Sequence, residues 1–459
     1  MPALSESRAL RLVFFTVLYL AQGLPWGFVA VGYGVMLSDL GLDNAAIGAA
    51  LGLAYLPWSF KILWGPLLDA VPPLRMGRRR PFVVVAELLM GLTLLALWWI
   101  DPREDLALAS GVLFLNNTFA SLQDVAVDAM AVDLLQEDER GRANALMWAG
   151  KSLGVAIGGG GGLLLVKVAG WGALFVTLAV LVWSVALLPL TLRERPPSPE
   201  DQPVDRRMVG LLGFLVPFLA VGAAMYGLSL VDAPWVAIVQ PFVAVFGALL
   251  CWPLVDRAGF RELVASFSTR LPWAGLVVAL GTPVGYAMIQ AAQSRLYRAE
   301  LHLSEEIIAS LSGVIDPLSG VVGALVGGFL ADRYGARAVM GGAMGIVGAA
   351  LLVFAGASGQ WPHYAFLAGW TVAFIGAVNA YSAASLGLFM GISNPRIGAT
   401  HFAVYMAATN LTYSWTAPFG GEVADRLGYV ALFALAAAIQ IGTVVLLLGV
   451  PARVRAAEG

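Results

Sequence analysis

Four ionisable side chains stand in stretches that are otherwise apolar: Lys61 in Trp58-Ser-Phe-Lys61-Ile-Leu-Trp64, Glu87 in Val83-Val-Val-Ala-Glu87-Leu-Leu-Met90, Asp124 in Ser121-Leu-Gln-Asp124, and Lys151 in Trp148-Ala-Gly-Lys151-Ser-Leu-Gly154. An ionisable group at the centre of a membrane helix costs about 2.5–3.5 kcal/mol on insertion scales, so it is retained for a purpose and needs a partner. A lysine there offers a positive point charge to an anion, and a carboxylate can hold or release a proton as nearby charge changes. Lys61 and Asp124 form the preferred couple, with a permanent salt bridge between two helices as the other reading. Asp128, one turn beyond Asp124, shares its face. It is read either as part of the same site or as a structural partner for the arginines at 78–80. Lys151 is read as facing a cavity, because Gly150, Gly154 and Gly158–Gly162 leave its helix thin. Glu87 lies nearer a boundary, where a snorkelling or helix-dipole role competes with proton transport.

With about 1.5 Å of rise per residue, Lys61 lies ~12 Å in from Asp69, Asp124 ~13 Å from Asp133, Lys151 ~15 Å from Gly141 and Glu87 ~10 Å from Arg80. Four charges on four helices thus share one layer, where opposite signs can pair.

The elements that must carry this layer are membrane helices. Of the 459 residues, 59% are hydrophobic and 12% charged, against about 25% charged in a soluble globule. The 53 glycines and 24 prolines are tolerated in lipid, where neighbouring helices satisfy freed backbone groups. At roughly 20 apolar residues per crossing, spans are expected near 10–37, 44–68, 81–100, 106–134, 141–166, 171–192, 208–230, 234–255, 271–294, 305–331, 337–357, 362–390, 397–423 and 428–450. Alternating loops then put most of the 27 Lys and Arg on the side holding both termini, which the positive-inside rule makes the cytoplasm. A single cysteine, Cys251, excludes an internal disulfide, and the three histidines show no metal-ligand spacing. No phosphate-binding Gly-x-x-x-x-Gly-Lys loop is present. The polar groups within spans assemble neither a nucleophile with its base nor a metal site. We therefore expect no enzyme, no cofactor, no metal and no nucleic-acid partner. The expected partners are a small-molecule solute, protons and the lipid bilayer, and the expected state is a monomer.

The chain repeats itself. Gly65-x-x-x-Asp69 followed by Gly77-Arg78-Arg79-Arg80 returns as Gly328-Phe-Leu-Ala-Asp332-Arg333-Tyr-Gly335-Ala-Arg337, and Gly170-Trp-Gly-Ala-Leu-Phe175 as Gly428-Tyr-Val-Ala-Leu-Phe433. A parallel repeat is expected of two bundles related by an axis along the membrane normal. The predicted organisation is a six-helix bundle at 8–192, a cytoplasmic linker at 193–207, an inserted helix pair at 208–255, an amphipathic cytoplasmic helix at 256–270 and a second six-helix bundle at 271–451. Carboxylate-arginine contacts of Gly65, Asp69, Gly77, Arg78, Arg79, Arg80, Asp332 and Arg333 are assigned to a cytoplasmic gate. In the second half, Asp316-Pro317 is either a second titrating acid or a group in a wet vestibule. Gln290 and Asn379 suit hydrogen bonds to a solute or between helices.

The doubled glycine-acid-glycine-basic loop resembles the signature of major facilitator transporters. Leu18-Tyr-Leu-Ala-Gln-Gly-Leu-Pro-Trp-Gly-Phe28, Lys61-x-x-Trp64-x-Pro66-x-x-Asp69 and Gln123-Asp124-x-x-x-Asp128-Ala-x-x-x-Asp133-Leu, closing on Glu139-Arg140-Gly141, resemble the AmpG-type anhydromuropeptide permeases and the related acetyl-coenzyme A transporters. The resemblance implies an all-α polytopic protein of the bacterial inner membrane with the major facilitator fold, two six-helix bundles plus two inserted helices. It implies a carrier of bulky anionic solutes, proton-coupled or exchanging, that alternates access. An exporter of amphipathic compounds and a non-transporting sensor or assembly factor of the same fold are the other readings. One departure is visible: Leu280-Gly-Thr-Pro-Val-Gly-Tyr-Ala-Met-Ile-Gln290 carries no charge, whereas the muropeptide branch usually does there.

Overall fold

The computed structural model describes residues 2–61, 63–64, 68, 76–135, 140–195, 228, 231, 233–255, 257–393 and 398–450. Among these residues no strand forms, and one isolated bridge joins Ala3 to Arg193. The expected linker residues 196–207, nearly all of the span at 208–230, and the signature residues Gly65 and Asp69 lie outside the described residues.

The helices are α1 (Arg8–Gly27), α2 (Gly34–Asp39), α3 (Asn44–Tyr55), α4 (Arg80–Ala96), α5 (Leu106–Leu134), α6 (Arg140–Ala156), α7 (Gly162–Thr191), α8 (Pro234–Val255) and α9 (Arg257–Ser266). They continue as α10 (Arg270–Gly281), α11 (Val284–Arg295), α12 (Glu305–Ser310), α13 (Asp316–Tyr334), α14 (Ala336–Gly356), α15 (Tyr364–Ile392), α16 (Gly398–Leu427) and α17 (Tyr429–Val444). Eight helical stretches among the described residues are long and apolar enough to cross a membrane by themselves. The 29-residue α5 and the 30-residue α16 are not among them. Both carry polar groups, Asn116, Asn117, Gln123 and Asp124 in one and His401, Asn410 and Thr412 in the other. They are long enough, and it is their polarity that lowers the hydropathy.

Two compact units make up the chain: Met1–Tyr33, Phe60–Leu230 and Ala244–Asp256 in the first, and Gly34–Ser59, Val231–Val243 and Arg257–Gly459 in the second. In the first, α1 packs along α6 on a glycine seam. A Cβ built at Gly154 would lie 2.3 Å from the carbonyl oxygen of Leu20, and one at Gly23 would lie 2.2 Å from that of Lys151. Only hydrogen fits there, so the two backbones touch. A core of Phe14, Phe15, Leu18, Val127, Met130 and Met147 closes beneath the seam. In the second unit α3 lies as closely on α16: a Cβ at Gly52 would come within 2.4 Å of the Ser414 carbonyl oxygen. The start of α3 is clasped by Asp425, which accepts from the backbone amides of Asn44 (3.2 Å) and Ala45 (2.7 Å) and from the Asn44 side chain (2.6 Å). A carboxylate at a helix N-terminus is favoured by the unpaired amides and the helix dipole.

The repeated motifs share backbone conformation as well as residues. Gly170, where α7 breaks, has φ 80° and ψ 172°, and Gly428, between α16 and α17, has φ 82° and ψ 167°. That region is open to glycine almost alone. Gly77 and Gly335 in the two signature loops also take positive φ, 111° and 89°.

Candidate functional site

In the first unit the buried charges meet. Lys61, one residue past a tight turn at Leu56–Phe60, extends its Nζ to 2.5 Å from Oδ2 of Asp124 on α5. The Asp124 side chain is 4% exposed and that of Lys61 23%, so the carboxylate is enclosed while part of the lysine side chain stays at the surface. Gln22 on α1 donates to Oδ1 of Asp124 at 2.6 Å. Both carboxylate oxygens therefore have partners of opposite polarity, the condition for keeping a charge out of water. Gln123 donates to the Leu18 carbonyl at 3.1 Å and to Oε1 of Glu87 on α4 at 3.2 Å. Oε2 of Glu87 has no hydrogen-bond partner among the described residues. Tyr19 on α1 donates to Asp128. Lys151 on α6 lies 5.5 Å from the Trp148 ring centroid and acts electrostatically on Asp124, Asp128 and Lys61.

The glycine seam explains the placement. It presses α1 against α6 at the level of Lys151, which puts Tyr19 and Gln22, three residues apart and on one helical face, over the α5 carboxylates. Lys61, Glu87, Asp124, Asp128 and Lys151 therefore surround one polar cluster. Tyr19 and Gln22 were not singled out from sequence, although both lie in the Leu18-Tyr-Leu-Ala-Gln stretch that carried the family resemblance.

Asp128, one turn along α5 from Asp124, accepts from Tyr19, which ties it to the cluster, and the arginine loop at 78–80 is anchored elsewhere as well. The loop has other partners. Glu194, just after α7, accepts from the backbone amides of Arg78 (2.9 Å), Arg79 (2.8 Å) and Arg80 (2.6 Å). Arg80 Nε donates to the Pro189 carbonyl at 2.7 Å, and Arg79 Nε lies 3.5 Å from Asp133. Sequence reading missed Glu194. Its signal was an acid directly after a span, facing an arginine-rich helix start.

In the second unit the candidates are spread out. Asp316 opens α13 after a wide turn at Leu311–Ile315 and is half-buried, within electrostatic reach of Tyr286 and Tyr297. Gln290 donates to the Tyr286 hydroxyl at 2.9 Å. Asn379 bonds back to the Ile375 carbonyl at 3.0 Å and faces Gly320, about one turn along from Asp316. The ring of Tyr413 lies 5.9 Å from that of Tyr286 and 6.1 Å from that of Tyr55, and the buried hydroxyl of Tyr381 has no partner among the described residues. Tyr55, Tyr286 and Tyr413 escape sequence reading, because a phenol scores close to neutral in hydropathy, whereas Tyr381 stands out as a polar group within a span. Arg333 is exposed at the end of α13, and the Asp332 side chain lies outside the description. Among the described residues no three His, Cys, Asp or Glu side chains group as a metal site.

The family model described as Major Facilitator Superfamily matches residues 15–292 and 274–459. A Rickettsia felis protein named as a transporter, AmpG 4, is 27% identical over 255 residues, 52% of this chain and 60% of its own length. The anhydromuropeptide permease of Escherichia coli K12 is 29% identical over 175 residues, 38% of this chain and 35% of its own. The matches thus span less than two thirds of these relatives. Among solved structures, a D-xylose-proton symporter superposes with a TM-score of 0.68 at 13% identity, covering 96% of this chain and 98% of its own. A POT family transporter in complex with a thioalcohol-conjugated peptide gives 0.69 at 14%, covering 96% and 95%. At those identities the likeness concerns the fold.

Proposed function

The chain belongs to the Major Facilitator Superfamily, and from that premise we propose that it is a secondary carrier moving a small to medium anionic solute, muropeptide-like in chemistry, across the bacterial inner membrane by alternating access with proton coupling. The observation that carries this reading is the Lys61–Asp124 pair, 2.5 Å apart and largely enclosed beside Gln22. Such a pair is bistable. An anion that takes up the Lys61 charge deprives Asp124 of its counter-charge, and the carboxylate then gains a proton. Solute and proton enter and leave together. Lys151 adds positive charge for the anion, Asp128 and Glu87 are carboxylates in reach of the same exchange, and Asp316, Gln290 and Asn379 offer polar groups to the rest of the solute. The loops at Gly65, Asp69, Gly77, Arg78, Arg79 and Arg80 and at Asp332 and Arg333 form the cytoplasmic gate, with both termini on that side. The domain plan is two six-helix bundles, 8–192 and 271–451, with an inserted pair at 208–255, and the protein performs no catalysis. The relatives named as AmpG transporters and an anhydromuropeptide permease support the solute class.

The test is uptake by proteoliposomes of labelled anhydromuropeptides, nucleotide thioesters and neutral sugars, with and without an inward proton gradient. Asp124→Asn is expected to abolish gradient-driven accumulation while leaving exchange, and Lys61→Ala to weaken binding of the anionic solutes. Wild-type accumulation by both variants would overturn the assignment.

A further inference from the structure

A cavity of about 690 Å³ opens beside the second signature loop, where α13 turns into α14 and α17 ends. Its chemistry is divided along its length. Arg333 and Arg337 stand at one end, Gly341 and Gly342 line one wall and Leu447 and Leu448 another. Among the described residues no carboxylate lines it. Arg333 is exposed and lies 5.5 Å from the Tyr334 ring, and Arg337 donates to the Val450 carbonyl at 2.6 Å, just past the 3-10 turn Val445–Gly449 that follows α17, which fixes its guanidinium there. The apolar walls continue away from the arginines along exposed hydrophobic side chains, Ile346 on α14 and, running back from the chain end, Leu448, Val445 and Ile441. In a membrane helix such surface is covered by acyl chains.

We propose that this cavity is a binding site for one anionic phospholipid, the phosphodiester resting between Arg333 and Arg337 and an acyl chain lying along the glycine-faced wall of α14. Three observations commit the site to a lipid rather than to a soluble anion. The arginines lie at the end of two spans, the depth at which headgroups sit, and basic pockets between helices at that level suit anionic headgroups. The cavity is of the size that takes a small molecule rather than an ion. The glycine wall is open at Gly342, where a Cβ would meet nothing within 4 Å, and narrows at Gly341, where it would touch Leu447 at 3.4 Å, so the room for a chain lies along Gly342. The first turn of α14, whose N-cap Gly335 offers no side chain, adds a dipole of the favourable sign. The site does not depend on the transport reading.

The experiment is native mass spectrometry of the full chain in detergent, offered phosphatidylglycerol, phosphatidylcholine of the same chain length, or inorganic phosphate. Phosphatidylglycerol is expected to be retained, with phosphatidylcholine bound more weakly. Arg333→Gln should lower retention about fivefold, the weight of one basic side chain at a membrane surface. Gly342→Leu, which keeps both arginines and fills the groove, should lower it as well while leaving the thermal midpoint unchanged. Equal retention of the two lipids overturns the proposal. So does unaltered phosphatidylglycerol binding by Gly342→Leu, or displacement of the lipid by millimolar inorganic phosphate, which would make this a site for soluble anions.

Discussion

Lys61 and Asp124 pose a question that their types alone leave open, because a structural lock and a working ion pair use the same two residues. Geometry separates them by experiment. Exchanging the two charges, Lys61→Asp with Asp124→Lys, keeps an attractive pair between the same helices, so expression yield and thermal midpoint should recover relative to either single change. Gln22, which donates to Asp124 at 2.6 Å, would then face an ammonium, and solute uptake should stay lost. Recovery of uptake along with the midpoint would reduce the pair to a lock. Glu194 makes a second case. It holds three backbone amides at the start of α4, and a capping acceptor of that kind is worth about 1–2 kcal/mol. Glu194→Ala should therefore lower the thermal midpoint in detergent, with the added consequence that the arginine loop loses its anchor. Glu194→Gln, which keeps an oxygen acceptor without the charge, should fall between the two.

Among the elements, α1 and α6 are the pair on which the polar cluster depends. Their contact is backbone to backbone at Gly23 and Gly154, and a methyl group there would overlap a carbonyl oxygen. Overpacking costs typically 1–3 kcal/mol. Gly154→Ala is expected to lower the midpoint by an amount in that range and to displace Lys151, so uptake falls further than stability. Uptake lost only in proportion to folded protein would mean that the seam is structural alone. The glycine-rich run of the sixth helix was read from sequence as a surface made for close approach. Its partner had to wait for the fold, since any of several helices could have taken the place. Gly170 and Gly428 mark the equivalent break in each half, and their backbone conformation excludes a side chain at a cost of about 1–3 kcal/mol. Gly428→Ala should destabilise by that order, read as a lower midpoint, although a Cβ there meets nothing within 4 Å. The penalty is conformational, not steric crowding by neighbours.

For the whole molecule, the charge pattern makes a claim about sidedness. If alternating spans place both termini in the cytoplasm, the exposed Asp101 between α4 and α5 faces outward and the exposed Glu262 on α9 faces inward. With Cys251→Ala as background, a membrane-impermeant thiol reagent should label Asp101→Cys in intact cells and Glu262→Cys only after permeabilisation. Labelling of both from outside would break the span order. Composition, the internal repeat and the presence of charge in several spans were legible in the sequence, because burial in lipid imposes length, apolarity and sorted charge on each helix separately. The Lys61–Asp124 couple is expected from sequence, whereas the neutral groups that link the charges were placed by the tertiary structure. The Tyr19 hydroxyl on Asp128, the Gln22 and Gln123 amides joining Asp124 to Glu87, and Glu194 under the arginine loop link residues more than 35 positions apart, and no local pattern encodes a hydrogen bond between helices. Such bonds depend on rotation and closeness of approach, which the glycine seams set only once the backbones are packed.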